Sequence, residues 1–111
     1  MALLTFLADL RAARIIDDVT QRLARQAYGT LREVCELRVP TMTDAEARGY
    51  VWAKARPIVA QRVAAVAEAR PTLATSTLHM LSNRTHDRVV ESVVSDLMRE
   101  RAEQARNRRA A

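Results

Sequence analysis

Apolar residues recur at i, i+3 and i+4 along most of this chain, the period of an amphipathic helix and not the alternation of a strand. In the first forty residues that period carries two stripes. Leu3, Phe6, Leu7, Leu10 and Ala13 share one face. Ile16, Val19, Leu23, Ala27, Leu31 and Val34 share another, rotated by roughly 110° at about 100° per helical residue. One straight helix cannot turn both stripes toward a single core. Either the helix bends near residues 14–18, or its first turns pack against something different, a second subunit being one candidate.

From Asp44 to Ala69 one arc holds Val51, Ala55, Ile58, Val59, Val66 and Ala69, with Trp52 and Val63 at its edge and Lys54, Gln61 and Glu68 opposite. Pro57 lies inside this segment. It lacks the N–H that would bond the Ala53 carbonyl, and its ring crowds that carbonyl, so a kink or a break is expected there. The stripe continuing on both sides favours the kink. Leu73, Thr77, Met80 and Leu81 form a further short stripe, and Val90, Val93, Val94, Leu97 and Met98 another, with Arg101 at the next inward position.

Four breaks separate these segments. Val39-Pro40-Thr41-Met42-Thr43 is the clearest, because Pro40 disfavours helix at Val39. Thr43 then suits an N-cap, with Asp44 and Glu46 complementing the dipole of the first turn. Arg70-Pro71-Thr72 is the second break. Ser82-Asn83-Arg84-Thr85 is the third, with Asn83 or Thr85 as a cap for the next helix. The fourth lies near Ala105, where apolar positions stop. The fold class these segments predict is all-α. It is a compact bundle of four to five helices with one long Pro-kinked helix and a frayed basic C-terminal tail. Residues 1–105 form a single domain and 106–111 a flexible tail.

Composition narrows the class without changing it. The chain has 111 residues, within the usual range for one domain. Its two Gly and three Pro are too few for the turns of an all-β fold, while its 20 Ala and 17 Arg favour helix. At 49% hydrophobic and 28% charged residues, it is too apolar for a disordered chain and too charged for a membrane-embedded one. Residues 1–10 are apolar but contain Asp9 and begin without a basic residue, unlike a signal peptide. Cys35 is the sole cysteine, which excludes an intramolecular disulfide and fits a reducing cytoplasm.

The formal net charge is +5, and residues 99–111 carry +3 of it. Arg106, Arg108 and Arg109 end a segment with no aromatic residue, and Glu100 and Glu103 dilute it. Salt-dependent, non-specific contact with phosphates is the most such a tail supports. The stretch Gly49–Pro57 is the most distinctive in the chain. Trp52 falls beside the apolar arc and is expected in the core, while Tyr50 falls with Lys54 on the polar side. Flanked by Arg48, Lys54 and Arg56, Tyr50 would either stack on a nucleobase or anchor a protein partner, or simply lie over a neighbouring helix. Arg48 and Arg62 intrude on the arc. They either snorkel at its edge or pair with a carboxylate, for which Asp17 is the candidate.

Little else carries chemistry. His79 and His86 are the only histidines, and the break expected between them separates them. Asp17 and Asp18 are adjacent and so diverge on a helix. Asp18/Arg22 and Asp44/Arg48 have the spacing of surface ion pairs. Cys35 stands at the C-terminal end of a helix, whose dipole disfavours a thiolate. No catalytic, cofactor or metal residue is assigned. The expectation is a small non-enzymatic interaction or regulatory module, homodimeric through Leu3, Phe6, Leu7 and Leu10. The alternative is a nucleic-acid-binding protein using Arg48, Tyr50, Lys54, Arg56 and the basic tail.

Overall fold

In the computed structural model the described residues are 2–110, excluding the side chains of Phe6 and Asp9. They form three helices: α1 (Ala2–Cys35), α2 (Asp44–Ala69) and α3 (Thr75–Ala110). The bundle measures 66 × 28 × 20 Å. A single 3-10 turn, Val39–Thr41, joins α1 to α2, and the turn through residues 70–74 joins α2 to α3.

The first connection follows its sequence closely. Pro40 lies in the 3-10 turn, and Val39 buries its side chain under it. Thr43 caps α2 as expected. Its hydroxyl accepts the Glu46 N–H at 3.2 Å, and the Glu46 carboxylate accepts the Thr43 N–H at 3.0 Å, a reciprocal capping box. Those hydrogen bonds hold the Glu46 carboxyl below its usual range, the Thr43 backbone N–H contributing most.

Three helices replace the expected four to five, because the chain does not break at 82–85. Thr85 is fully buried in the middle of α3, where it continues the stripe from Leu81 to Val89. Its methyl group fills an apolar position, so it serves as a core residue and not as a cap. The helix also continues past Ala105 to Ala110, though most of its side chains there are exposed. Ala, Arg, Glu and Gln dominate this stretch, and all favour helix without burial. Pro57 is exposed within a continuous α2, so the break-and-restart alternative is excluded.

Ion pairs and hydrogen bonds define the helix directions. Asp17 meets Arg84, Tyr28 meets Asp96 and Arg32 meets Glu100, so α1 and α3 run parallel in a constant register. Arg48 meets Glu91 and Trp52 meets His86, so α2 runs antiparallel to both. Leu23, Ala27, Leu31 and Cys35 of α1, Val51, Ala55 and Val59 of α2, and Val89, Val93, Val94 and Leu97 of α3 close the core between them. Alanines at the seams let the axes approach closely, because interaxial distance follows side-chain size. Arg101, expected at an inward position, instead reaches across the end of the bundle. It donates to the Met42 carbonyl at 2.6 Å and to the Asp44 carboxylate.

Candidate interaction surfaces

The two apolar stripes of α1 have different fates. Val19, Leu23, Ala27 and Leu31 pack into the core, while Val34 remains exposed. The α2–α3 turn meets α1 at Ile15, Ile16 and Val19, where Val66, Leu73 and Leu81 close a small apolar hole. From Ala2 to Arg14, about 20 Å of helix at 1.5 Å per residue, every described side chain is exposed. Leu3 and Leu4 keep 69% of their surface in water, Leu7 51% and Leu10 52%. The Phe6 side chain, assigned to the same stripe, lies outside the described residues. Among the described residues, the first turns of α1 thus present large apolar side chains that keep half or more of their surface uncovered.

The basic candidates do not form one patch. Tyr50 and Lys54 are one turn apart on α2, with the Lys54 ammonium 5.6 Å from the Tyr50 ring centroid. Trp52 and Arg56 are also one turn apart, with the Arg56 guanidinium 4.8 Å from the indole. The two pairs are offset by two residues, which points them about 160° apart around the helix. Tyr50 is half-buried against the core, and Trp52 is 47% exposed, the reverse of expectation. Trp52 stands one residue off the buried row Val51, Ala55 and Val59, about 100° around the helix. Trp52 faces the polar side of α3, where His86 donates from Nε2 to the Trp52 carbonyl at 2.9 Å and lies edge-on to the indole at 5.0 Å.

Arg48 pairs with Glu91 at 3.1 Å, and Asp17 pairs with Arg84, so the Arg48–Asp17 partnership is replaced on both sides. Asp44, expected to pair with Arg48, binds Arg101. Arg62 is simply exposed. Arg106, Arg108 and Arg109 stand exposed on the last turns of α3, where the Arg108 Nε donates to the Gln104 carbonyl. These turns extend from the end of the bundle opposite to the apolar turns of α1.

One polar network has no counterpart among the sequence expectations. The Arg32 guanidinium grips both Glu100 oxygens at 2.7 Å, and the Tyr28 hydroxyl donates to Asp96. Burial first, and then this bond to Asp96, push the Tyr28 phenol above its ordinary value. The Glu100 contact raises the Arg32 guanidinium further. Tyr28/Arg32 and Asp96/Glu100 are both i,i+4 pairs, a matched spacing that is legible in principle. Cys35 is fully buried, and burial raises its thiol above the usual value, which keeps it protonated and unreactive.

His79 is exposed and His86 is engaged with Trp52, so the structure does not bring the two histidines together. Among the described residues no group of three or more His, Cys, Asp or Glu is placed to hold a metal ion. No described helix is long and apolar enough to cross a membrane. No family model, no curated protein and no solved structure matches the chain.

Proposed function

We propose that this chain is a non-enzymatic helical interaction module that pairs with a second copy of itself through the first turns of α1. The observation that carries the reading is the row of uncovered leucines at Leu3, Leu7 and Leu10, flanked by Leu4. Soluble chains rarely leave such a row open without a partner for it. Burying a leucine fully is favourable by about 2 kcal/mol, and these retain half or more of their exposure. Four of them in each of two copies contribute on the order of 10 kcal/mol, against roughly 4–15 kcal/mol lost on association. That balance describes a dimer whose population depends on concentration, as suits a regulatory contact. The single buried Cys35 fits the reducing cytoplasm as its compartment.

The test is the solution mass by light scattering from micromolar to millimolar protein. The wild type is expected to pass from monomer to dimer. Leu7→Glu combined with Leu10→Glu is expected to remain monomeric with unchanged far-UV dichroism, because both positions are exposed in the monomer. A wild type that stays monomeric at millimolar concentration, or a double variant that dimerises like the wild type, overturns the proposal.

The second reading, a weak nucleic-acid binder, draws on the exposed Arg106, Arg108 and Arg109. Tyr50/Lys54 and Trp52/Arg56 are two separate aromatic–cation pairs on different sides of α2, so they offer no single continuous stacking surface, and the reading rests mainly on phosphate contact.

A further inference from the structure

Between α2 and α3 lies a cleft lined by Trp52, Arg56, Val59, Ala60, Ser82, Asn83 and His86. On its lining the Arg56 guanidinium and the Trp52 indole N–H can only donate hydrogen bonds, while the Asn83 amide and the Ser82 hydroxyl can donate or accept. No Asp or Glu lines it. Asp87 stands beside the cleft, 3.9 Å from the His86 Nδ1, with its side chain 82% exposed. Among the described residues Arg56 has no carboxylate partner, a condition it shares with other exposed arginines such as Arg62, and what sets it apart is its place over the Trp52 ring at the cleft. Val59 and Ala60 supply an apolar wall below these donors.

One edge of the cleft is also held in place. Trp52 carries Arg56 over its ring and His86 at its edge, and the His86 Nε2–H is tied to the Trp52 carbonyl. The His86 side chain is only 12% exposed, so this edge of the cleft is fixed by packing. A guanidinium resting on an indole keeps its N–H edge open, the arrangement that suits a planar, doubly hydrogen-bonded acid. The cleft holds about 180 Å³, room for about six water-sized groups at ~30 Å³ each.

We infer that this cleft binds a carboxylate carried on a short apolar stem, the acid held by Arg56 and the stem against Val59 and Ala60. A single guanidinium matches the single charge of a carboxylate. A phosphate dianion calls for more positive charge than the lining offers, since Lys54 stands on the other side of α2 over Tyr50. The same chemistry is presented by a free short-chain acid and by a Glu side chain of a protein segment.

Trp52 is the only tryptophan, so its emission reports this cleft without labelling. The full chain is titrated with butyrate, with butyramide, with inorganic phosphate, and with a capped peptide bearing one Glu. Chemical shifts of the Asn83 side-chain amide are followed in parallel. Butyrate is expected to saturate with a dissociation constant in the millimolar range, the order set by a six-atom ligand. Arg56→Gln is expected to weaken it at least tenfold, and Arg56→Lys less. Saturation by butyrate identifies a free acid as the ligand, and saturation by the peptide alone identifies a protein-borne one. The inference is overturned if butyrate and butyramide act alike, if phosphate competes equally, if neither carboxylate saturates, or if Arg56→Gln leaves the affinity unchanged.

Discussion

Thr85 is completely buried, and its hydroxyl oxygen has no hydrogen-bond partner among the described residues; the buried Thr20 hydroxyl on α1 lacks one as well. A desolvated hydroxyl without a partner costs about 1–3 kcal/mol, while the methyl of the same side chain packs as valine would. Thr85→Val is therefore expected to stabilise the fold by about 1 kcal/mol, read as a rise in the urea midpoint at constant slope. A fall in the midpoint would mean that the hydroxyl has a partner in solution. Thr85 also shows why the third break is absent. Ser82, Asn83 and Thr85 resemble a helix stop by composition, and only their phase reveals otherwise. Thr85 is one turn beyond Leu81 and one turn before Val89, the place an apolar residue would occupy. Trp52 is the opposite case, because its phase places it beside the core. It stands one residue off the buried row Val51, Ala55 and Val59 and stays 47% exposed, while its contact with His86, 34 positions away, is one that no local pattern reports.

At the scale of the helix, Pro57 is the most costly residue in α2. It removes one backbone hydrogen bond and crowds the Ala53 carbonyl, a cost of ~3 kcal/mol in a helix interior. Its side chain is exposed, so replacing it empties nothing in the core. Pro57→Ala is expected to stabilise the protein by about 2 kcal/mol, after allowing for the freedom that alanine adds to the unfolded chain. Thermal unfolding reads this directly. An unchanged midpoint would show that α2 is bent at Pro57 in a way that already relieves the clash. Helix existence, the Pro40 turn and the Thr43 cap are all legible in the sequence, because each depends on residues within a turn of one another. The apolar start of α1 is legible as a misfit of two stripes. What it packs against is not, because that depends on surfaces outside the chain. A frayed end of α3 is expected only on the premise that helix requires burial. The run of helix-favouring residues after Arg101 shows that propensity and side-chain contacts suffice here.

Across the whole molecule, the two exposed ends differ in chemistry. One carries leucines and the other arginines, and the ion pairs between helices lie in the stretch that separates them. Removing residues 105–111 takes away Arg106, Arg108 and Arg109 but leaves Glu100 on Arg32 and Arg101 on Met42 and Asp44. A cut after Met98 would instead dismantle both contacts and confuse charge with stability. If the arginine end contacts nucleic acid, the shorter cut should lower the slope of log affinity against log salt by about two to three for a duplex, at roughly 0.9 per phosphate. Its oligomeric state in the absence of nucleic acid should be unchanged. An unaltered slope, measured by fluorescence anisotropy, would remove the arginine end from that role.

The parallel course of α1 and α3 has a mechanical consequence. With α2 as the return path between them, Ala2 and Ala110 emerge from opposite ends of a rod 66 Å long. Three helices side by side form the middle of that rod, and single helices, the first turns of α1 and the last turns of α3, form its ends, so anything joined to one end is held at a distance and direction from the other by helix and not by a flexible tether. Antiparallel pairing of the leucine turns would lengthen that span to somewhat less than double, since the paired turns overlap, and would place an arginine tip at each extremity. The molecule would then act as a ruler, its reach set by the length of its helices.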